Sequence, residues 1–266
     1  MKKITFVILT WNSSKYIKDC LDSVNNISNF FIKIIIVDNG STDNTVNILK
    51  EYKKNNNDLS VVFLSENMGT TKSRNIALRM VEEDTDYICI LDSDTIINEE
   101  AIYIMTDFLD SNYDVALVGP AMTNEKKEKQ IPYRKFPSWK IKILKAFPIK
   151  KISQIGEKME SYPLENLTSE FECDYLISAC WMMRYDIYEK LGNLDEKIFY
   201  SPEDVEYCMR ARSKGYKIVH LKNAKIIHLY QRISKKKLIS KVNFSHLWGI
   251  NYILKKYKKF LKEYKV

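Results

Sequence analysis

The chain reads as short apolar runs set between polar stretches with helical spacing. Residues 4–10 (ITFVILT), 31–38 (FIKIIIVD), 59–65 (LSVVFLS) and 86–92 (DYICILD) are apolar and rich in β-branched residues, as buried strands are. Between them, apolar positions recur at i, i+3 and i+4 from Ser14 to about Val24, from Thr42 to about Tyr52, and from Thr70 to Val81, and helix signals return after Asn98. Short strands alternating with helices predict an α/β fold, with a mostly parallel central sheet covered by helices on both faces. Each polar cluster falls at the carboxyl end of its strand, which is the edge where open α/β sheets bind ligands.

The rhythm loosens after Pro120. Residues 123–170 are polar and broken by Pro132, Pro137, Pro148 and Pro163, which predicts a long loop region. A strand pattern resumes in residues 171–184, and residues 186–191 form a short helix ended by Gly192. A further helix begins with Ser201 as its cap and Pro202 in its first turn, and Gly215 ends it. Residues 216–221 and 224–230 read as two closing strands, and a basic helix is expected from about Lys235 onward. The expected organisation is one unit over residues 1–234, with a ligand-binding half (1–120) and a second half (121–234), followed by an amphipathic tail helix over 235–266.

Charge sharpens this picture. Residues 235–266 hold ten lysines and one acid, a net of +9, so the rest of the chain is nearly neutral at −1 and the chain's +8 belongs to the tail. A basic working face for nucleic acid is therefore not expected. In the tail, Ile250, Ile253, Leu254, Tyr257, Phe260, Leu261 and Tyr264 make a helical stripe among lysines. That pattern fits either a helix lying on anionic lipid or one packed on its own domain. The amino-terminal MKK followed by six apolar residues imitates a leader, but no small-residue cleavage site follows, so it reads as the first strand. No apolar run reaches the ~20 residues of a membrane span. Five cysteines without a CxxC pair suit a reducing compartment, and a cytoplasmic location is expected, peripheral on the inner membrane face if the tail meets lipid.

The candidate chemistry begins at Asp92 and Asp94. Two carboxylates at positions i and i+2 of a strand end can reach one hard cation, Mg²⁺ or Mn²⁺, shared with phosphates. A solvated turn is the plain alternative. A haloacid-dehalogenase-type phosphatase is a sharper one, but its DxD ends the first strand and continues with a Thr two residues later, where Ile96 stands here. Asp38 sits at another strand end before Asn39-Gly40, a natural sharp turn, and Trp11 after the first strand offers a flat face for stacking. No Gly-rich phosphate loop is present, which weighs against kinases and Rossmann oxidoreductases.

In order and spacing, TFVILTWNSSKYIKDCLDSV, IIIVDNGSTDNT, ENMGTTKSRNIAL and YICILDSD resemble the family 2 glycosyltransferases of the GT-A fold. The stretch from ISACWMMRYDIYEKLG through SPEDVEYCMRARSKGYKIVH to AKIIH is similar to the acceptor half of the rhamnosyltransferase-like branch. The resemblance covers roughly residues 3–230 and is loose over 123–170. It implies that Thr10, Trp11 and Asp38 hold the nucleotide base, with Trp11 stacking and Asp38 accepting from a pyrimidine N–H, and that Asn12, Asn39 and Gly40 belong to the same nucleotide-sugar site. Arg74 would lie near the base or diphosphate, Asp92 with Ser93 at the ribose, and Asp94 with His228 on the Mn²⁺ or Mg²⁺. Of Glu203 and Asp204, Asp204 would be the general base and Glu203 its orienting partner, with an inverted product. Acceptor contacts are expected from residues 123–170 and around Trp181.

The implied partners are a nucleotide-sugar donor, UDP- or dTDP-linked foremost, and a glycan or lipid-linked acceptor. Two alternatives stay open: a binding scaffold of the same fold that has lost catalysis, and a transferase acting on a peptide. A nucleotidyltransferase would want a Gly-rich basic loop where TWNSSKY stands.

Overall fold

The computed structural model describes residues 1–163, 168–229 and 241–264. Four strands open the fold: β1 (Lys3–Thr10), β2 (Phe31–Asp38), β3 (Leu59–Phe63) and β4 (Tyr87–Asp92). They are mutually parallel in the order β3-β2-β1-β4. The crossovers are α1 (Ile17–Asn25), α2 (Thr45–Asn55) and α3 (Thr70–Leu78). These elements fall close to the residues the apolar periodicity marks. The α2 start differs from the expected Thr42: Ser41 is engaged with Asp38 and Thr42 with Asn12, and the helix begins at Thr45, whose amide donates to Asp43 at 3.0 Å.

β5 (Thr95–Ile96) and α4 (Glu99–Ser111) follow, with the Asn98 side chain accepting from the Ala101 amide at 2.8 Å as a cap. Beyond β6 (Val115–Thr123) the expected loop is largely ordered structure: β7 (Lys129–Gln130), β8 (Tyr133–Arg134), α5 (Trp139–Ala146) and α6 (Lys150–Glu160). These elements are short and lie between prolines, which hides their periodicity. β9 (Glu170–Glu172), β10 (Tyr175–Leu176), β11 (Cys180–Arg184), α7 (Tyr185–Leu191) and α8 (Glu203–Ser213) come next. The two expected closing strands are one, β12 (Lys217–His228), interrupted by a register shift between Leu221 and Lys225. The sheet continues β4-β11-β6-β12-β5, with β11 antiparallel to both of its neighbours and β12 parallel to β6.

Two apolar layers close the sheet. One, under α1, α2 and α4, contains Phe6, Ile36, Leu49 and Met105. The other, under α3, α7 and α8, contains Val7, Ile90, Trp181 and Tyr207. All five cysteines are free and buried.

The tail lies against the second layer as α9 (Lys241–Lys256) and α10 (Lys258–Glu263). Residues 235–240 of the expected tail helix lie outside the described residues. Ile250 and Ile253 are fully buried, each contributing about 1.5–3 kcal/mol, and Tyr257, Phe260, Leu261 and Tyr264 pack beside them. Tyr257 and Lys256 both donate to Glu206 at 2.7 Å, and Lys256 also reaches Asp195 at 2.6 Å. The apolar stripe that sequence allowed to face lipid therefore faces the domain. No described helix is long and apolar enough to cross a membrane.

Candidate active site

Strand register brings the first group together. Thr10 stands beside Asp38 across the β1/β2 pair, and Leu9 beside Asp92 across β1/β4, so three chain segments leave the sheet at one edge. Their loops are bonded to one another. The Asn12 backbone, at φ 50°, donates to Ser41 Oγ at 2.8 Å, and Thr42 N–H donates to Asn12 Oδ1 at 2.8 Å. Asn39 accepts from Met68 N–H and Ser73 Oγ at 2.8 Å each, so its role is to tie loops together. At Gly40 φ is +72° and an added Cβ would lie 2.7 Å from the Glu66 carbonyl carbon, so only glycine fits there.

Within this frame Asp38 is buried and accepts from Ser41 N–H (3.0 Å) and Ser41 Oγ (2.5 Å). Thr10 Oγ1 is buried and has no hydrogen-bond partner among the described residues. Trp11 is 37% exposed, with a face open to solvent. Ser93 is buried and paired with Ser13 through their hydroxyls at 2.9 Å.

A second group gathers one atom each from Asp92, Asp94 and His228, all within 4.8 Å of one another. The topology explains this. Asp94 leads directly into β5, which pairs antiparallel with the end of β12, so His228 stands opposite Thr95. His228 Nε2 lies 3.5 Å from Asp94 Oδ1, while its Nδ1–H donates to Gln130 Oε1 at 2.7 Å. A ring nitrogen fixed from behind in this way presents the other nitrogen as a ligand. Burial works to lower the His228 pKa, but the bond to Asp94 and the nearby charges outweigh it and the pKa is raised. Two carboxylates and an imidazole are an ordinary donor set for Mn²⁺, and carboxylates alone suit Mg²⁺. The residues present fit a divalent cation.

Arg74 connects this group to the third. Its guanidinium is 3% exposed, pairs with Asp92, and reaches Glu203 Oε1 at 3.2 Å. Ser178 Oγ lies between them, accepting from Arg74 at 2.8 Å and donating to Glu203 at 3.0 Å. One cation cannot neutralise two carboxylates. Burial, then the Asp204 charge, pushes the Glu203 pKa up to about 8 despite Arg74. Burial also raises Asp204, to about 6, while the Val205 amide, Arg74 and Lys142 hold it down. Both carboxyls are thus held above the usual carboxylate range, Glu203 further than Asp204, because burial, and for Glu203 the neighbouring charge, outweighs the one guanidinium. Asp204 Oδ1 accepts from Val205 N–H at 2.8 Å.

A sequence profile described as Glycosyl transferase family 2 matches residues 5–192. The chain belongs to glycosyl transferase family 2. It is 35% identical over 107 residues to the poly-beta-1,6-N-acetyl-D-glucosamine synthase of Staphylococcus aureus, 40% of this chain but only 25% of that protein. The structure of S. aureus TarS 1-349 in complex with UDP-GlcNAc superposes with a TM-score of 0.61 at 20% identity, covering 96% of this chain and 66% of the other. GalNAc-T7 with UDP, GalNAc and Mn2+ superposes with a TM-score of 0.70 at 14% identity, covering 96% and 48%. The architecture is the GT-A α/β fold.

Most residues expected at the site converge, and one does not. Trp181 is fully buried, donates its indole N–H to Leu176 O at 3.2 Å and stacks on Tyr207 at 5.9 Å. It is a core residue with no surface to offer an acceptor, because its strand, β11, lies inside the sheet. Arg74, expected near the base or diphosphate, spans Asp92 and Glu203. Sequence reading missed Ser178 and Gln130. Ser178 lies within the motif-like ISAC segment, whereas Gln130 carries no local signal in its Pro-flanked surroundings.

Proposed function

We propose that this protein is an inverting glycosyltransferase that moves a sugar from a nucleoside-diphosphate donor to an acceptor hydroxyl. The single observation that carries the reading is the chain of contacts from Asp94 and His228 through Asp92 and Arg74 to Glu203, next to Asp204, which links a metal-type cluster to a carboxylate pair.

On the donor side, the open face of Trp11 stacks on the base, and Asp38, already pre-oriented by Ser41, accepts from a pyrimidine N–H. The unpartnered Thr10 Oγ1 supplies a further polar contact at the base. That preference favours uridine or thymidine donors, and TarS, solved with UDP-GlcNAc, shares the fold. Asp92, held by Arg74, faces the ribose. Asp94 and His228 would hold Mn²⁺ or Mg²⁺, which when bound would supply positive charge for a departing diphosphate.

On the acceptor side, Asp204 takes the hydroxyl proton as the new bond forms at the anomeric carbon. Glu203, fixed by Arg74 and Ser178, orients it. Displacement from the face opposite the leaving group inverts the configuration, and holding donor and acceptor in line lowers the barrier. The acceptor is a glycan or lipid-linked saccharide.

The test offers UDP-, dTDP- and GDP-sugars with Mn²⁺ and counts the nucleoside diphosphate released. Release from uridine or thymidine donors alone supports the reading. Release from guanosine donors alone, or from none, contradicts it.

A further inference from the structure

The hairpin of α5 and α6 leaves an apolar stripe in water. Trp139, Ile143 and Phe147 recur at i, i+4 and i+8 and are 44, 60 and 46% exposed, while Ile149 between the helices and Ile155 on α6 are each 52% exposed. A stripe at this spacing normally faces a core. Here the core-facing side is a different one. Ile141 and Glu160 are buried, Glu160 pairs with Lys145, and Lys142 and Arg134 lie 3.5 Å from it. At Gly156 the helices approach so closely that a Cβ would sit 2.9 Å from the Lys145 amide nitrogen. The hairpin is therefore anchored on its inner side and apolar on its outer side by construction.

Charge selects the occupant. Residues 139–158 contain six lysines and one acid, Glu157, and Lys140, Lys150, Lys151 and Lys158 are exposed around the stripe. A second copy of the chain seated here through a two-fold contact would set these lysines against one another. An anionic bilayer complements both features, taking Trp, Phe and Ile into its interface and meeting the lysines with phosphates.

We propose that the α5–α6 hairpin is the surface by which this protein lies on an anionic lipid bilayer. This gives lipid contact to the hairpin and not to the tail stripe of Ile250, Ile253 and Tyr257, which is spent on the domain and leaves Leu247 and Trp248 exposed on α9. It also deepens the function proposed above, on which it rests for the acceptor, by making that acceptor lipid-linked. The inner side of the same hairpin carries Lys142, a cation that acts on Asp204, so a bilayer against the outer side brings a membrane-borne hydroxyl toward the carboxylate pair.

The experiment co-sediments the full chain with vesicles of phosphatidylcholine alone or mixed with phosphatidylglycerol. Three proteins are compared: wild type, Ile143→Ser with Phe147→Ser, and a tail variant with Lys258→Gln, Lys259→Gln and Lys262→Gln. UDP binding is measured separately on each by calorimetry. The wild type is expected on phosphatidylglycerol vesicles only, with partitioning reduced on the order of tenfold or more in the hairpin variant and less in the tail variant. Both substituted hairpin positions are exposed, so UDP affinity should hold. Absence of wild-type binding, undiminished binding of the hairpin variant, or a larger loss in the tail variant would overturn the proposal. So would a dimer on gel filtration that the hairpin variant dissolves. Vesicle binding without any UDP binding leaves the hairpin assignment standing and removes the donor reading instead.

Discussion

The two sides of the cleft are built by different means. On the donor side, Thr10, Asp38 and Asp92 are placed by the register of parallel strands β1, β2 and β4, and short loops tie their neighbours together. On the other side, Glu203 and Asp204 owe their setting to groups far away in sequence: Arg74 on α3, Ser178 before β11, and Lys142 on α5. His246 on α9 joins them, its Nδ1 3.0 Å from the hydroxyl of Ser201, two residues before the pair. A donor site assembled from strand ends is rigid because the sheet is rigid. A carboxylate pair held by side chains can have its electrostatics tuned without moving the donor site. Substitutions should therefore separate cleanly into those that alter nucleotide binding and those that alter transfer.

The largest separation is expected at Asp204. Asp204→Asn should lower kcat by about 10²–10⁴-fold, the usual worth of a general base, while nucleotide affinity stays unchanged. A large loss of affinity would place Asp204 on the donor side. Trp181→Ala comes next and should act on neither side selectively. Removing a buried, stacked indole costs about 3–5 kcal/mol of stability in urea unfolding. An acceptor-specific rise in KM with normal stability would return Trp181 to the site. Gln130→Ala should weaken metal binding by about 10–100-fold through loss of the bond that orients His228, with little change in metal-free nucleotide affinity. The smallest effect is in the pH profile. In the proposed mechanism Asp204 acts as an ionised base, and burial raises its pKa to about 6, so kcat should be full above that pH and lost as pH falls through it. Lys142→Met removes a charge that holds the group down, so the acidic limb should move upward. A limb that stays in place would separate α5 from the catalytic pair.

The same contrast explains what the sequence could and could not reveal. Residues 4–10, 31–38 and 86–92 announce their strands because each is a continuous apolar run, and the carboxylates ending two of them follow from that placement. Spacing marks Asp92 and Asp94 as a cation pair, but His228 was readable only through resemblance, since it reaches Asp94 by a pairing of β5 with β12 that no local spacing encodes. Residues 123–160 hid two helices because those helices are short, bounded by prolines and apolar on the outside, which breaks the usual relation between periodicity and burial. Trp181 misled for a related reason: a tryptophan among motif residues suggests a platform, and only the position of β11 inside the sheet shows that it is core. The tail stripe allowed two readings because lipid and a domain surface reward the same pattern, and the contacts of Ile250, Ile253 and Tyr257 decide between them.

In the proposed function the strand-end residues, the metal-type cluster and the carboxylate pair act as one site. Calorimetric titration with UDP, with and without Mn²⁺, on wild type and Asp94→Ala tests it most directly. The account predicts tight UDP binding that needs Mn²⁺ in the wild type and disappears in the variant. Equal binding with and without metal, unchanged by Asp94→Ala, would contradict it.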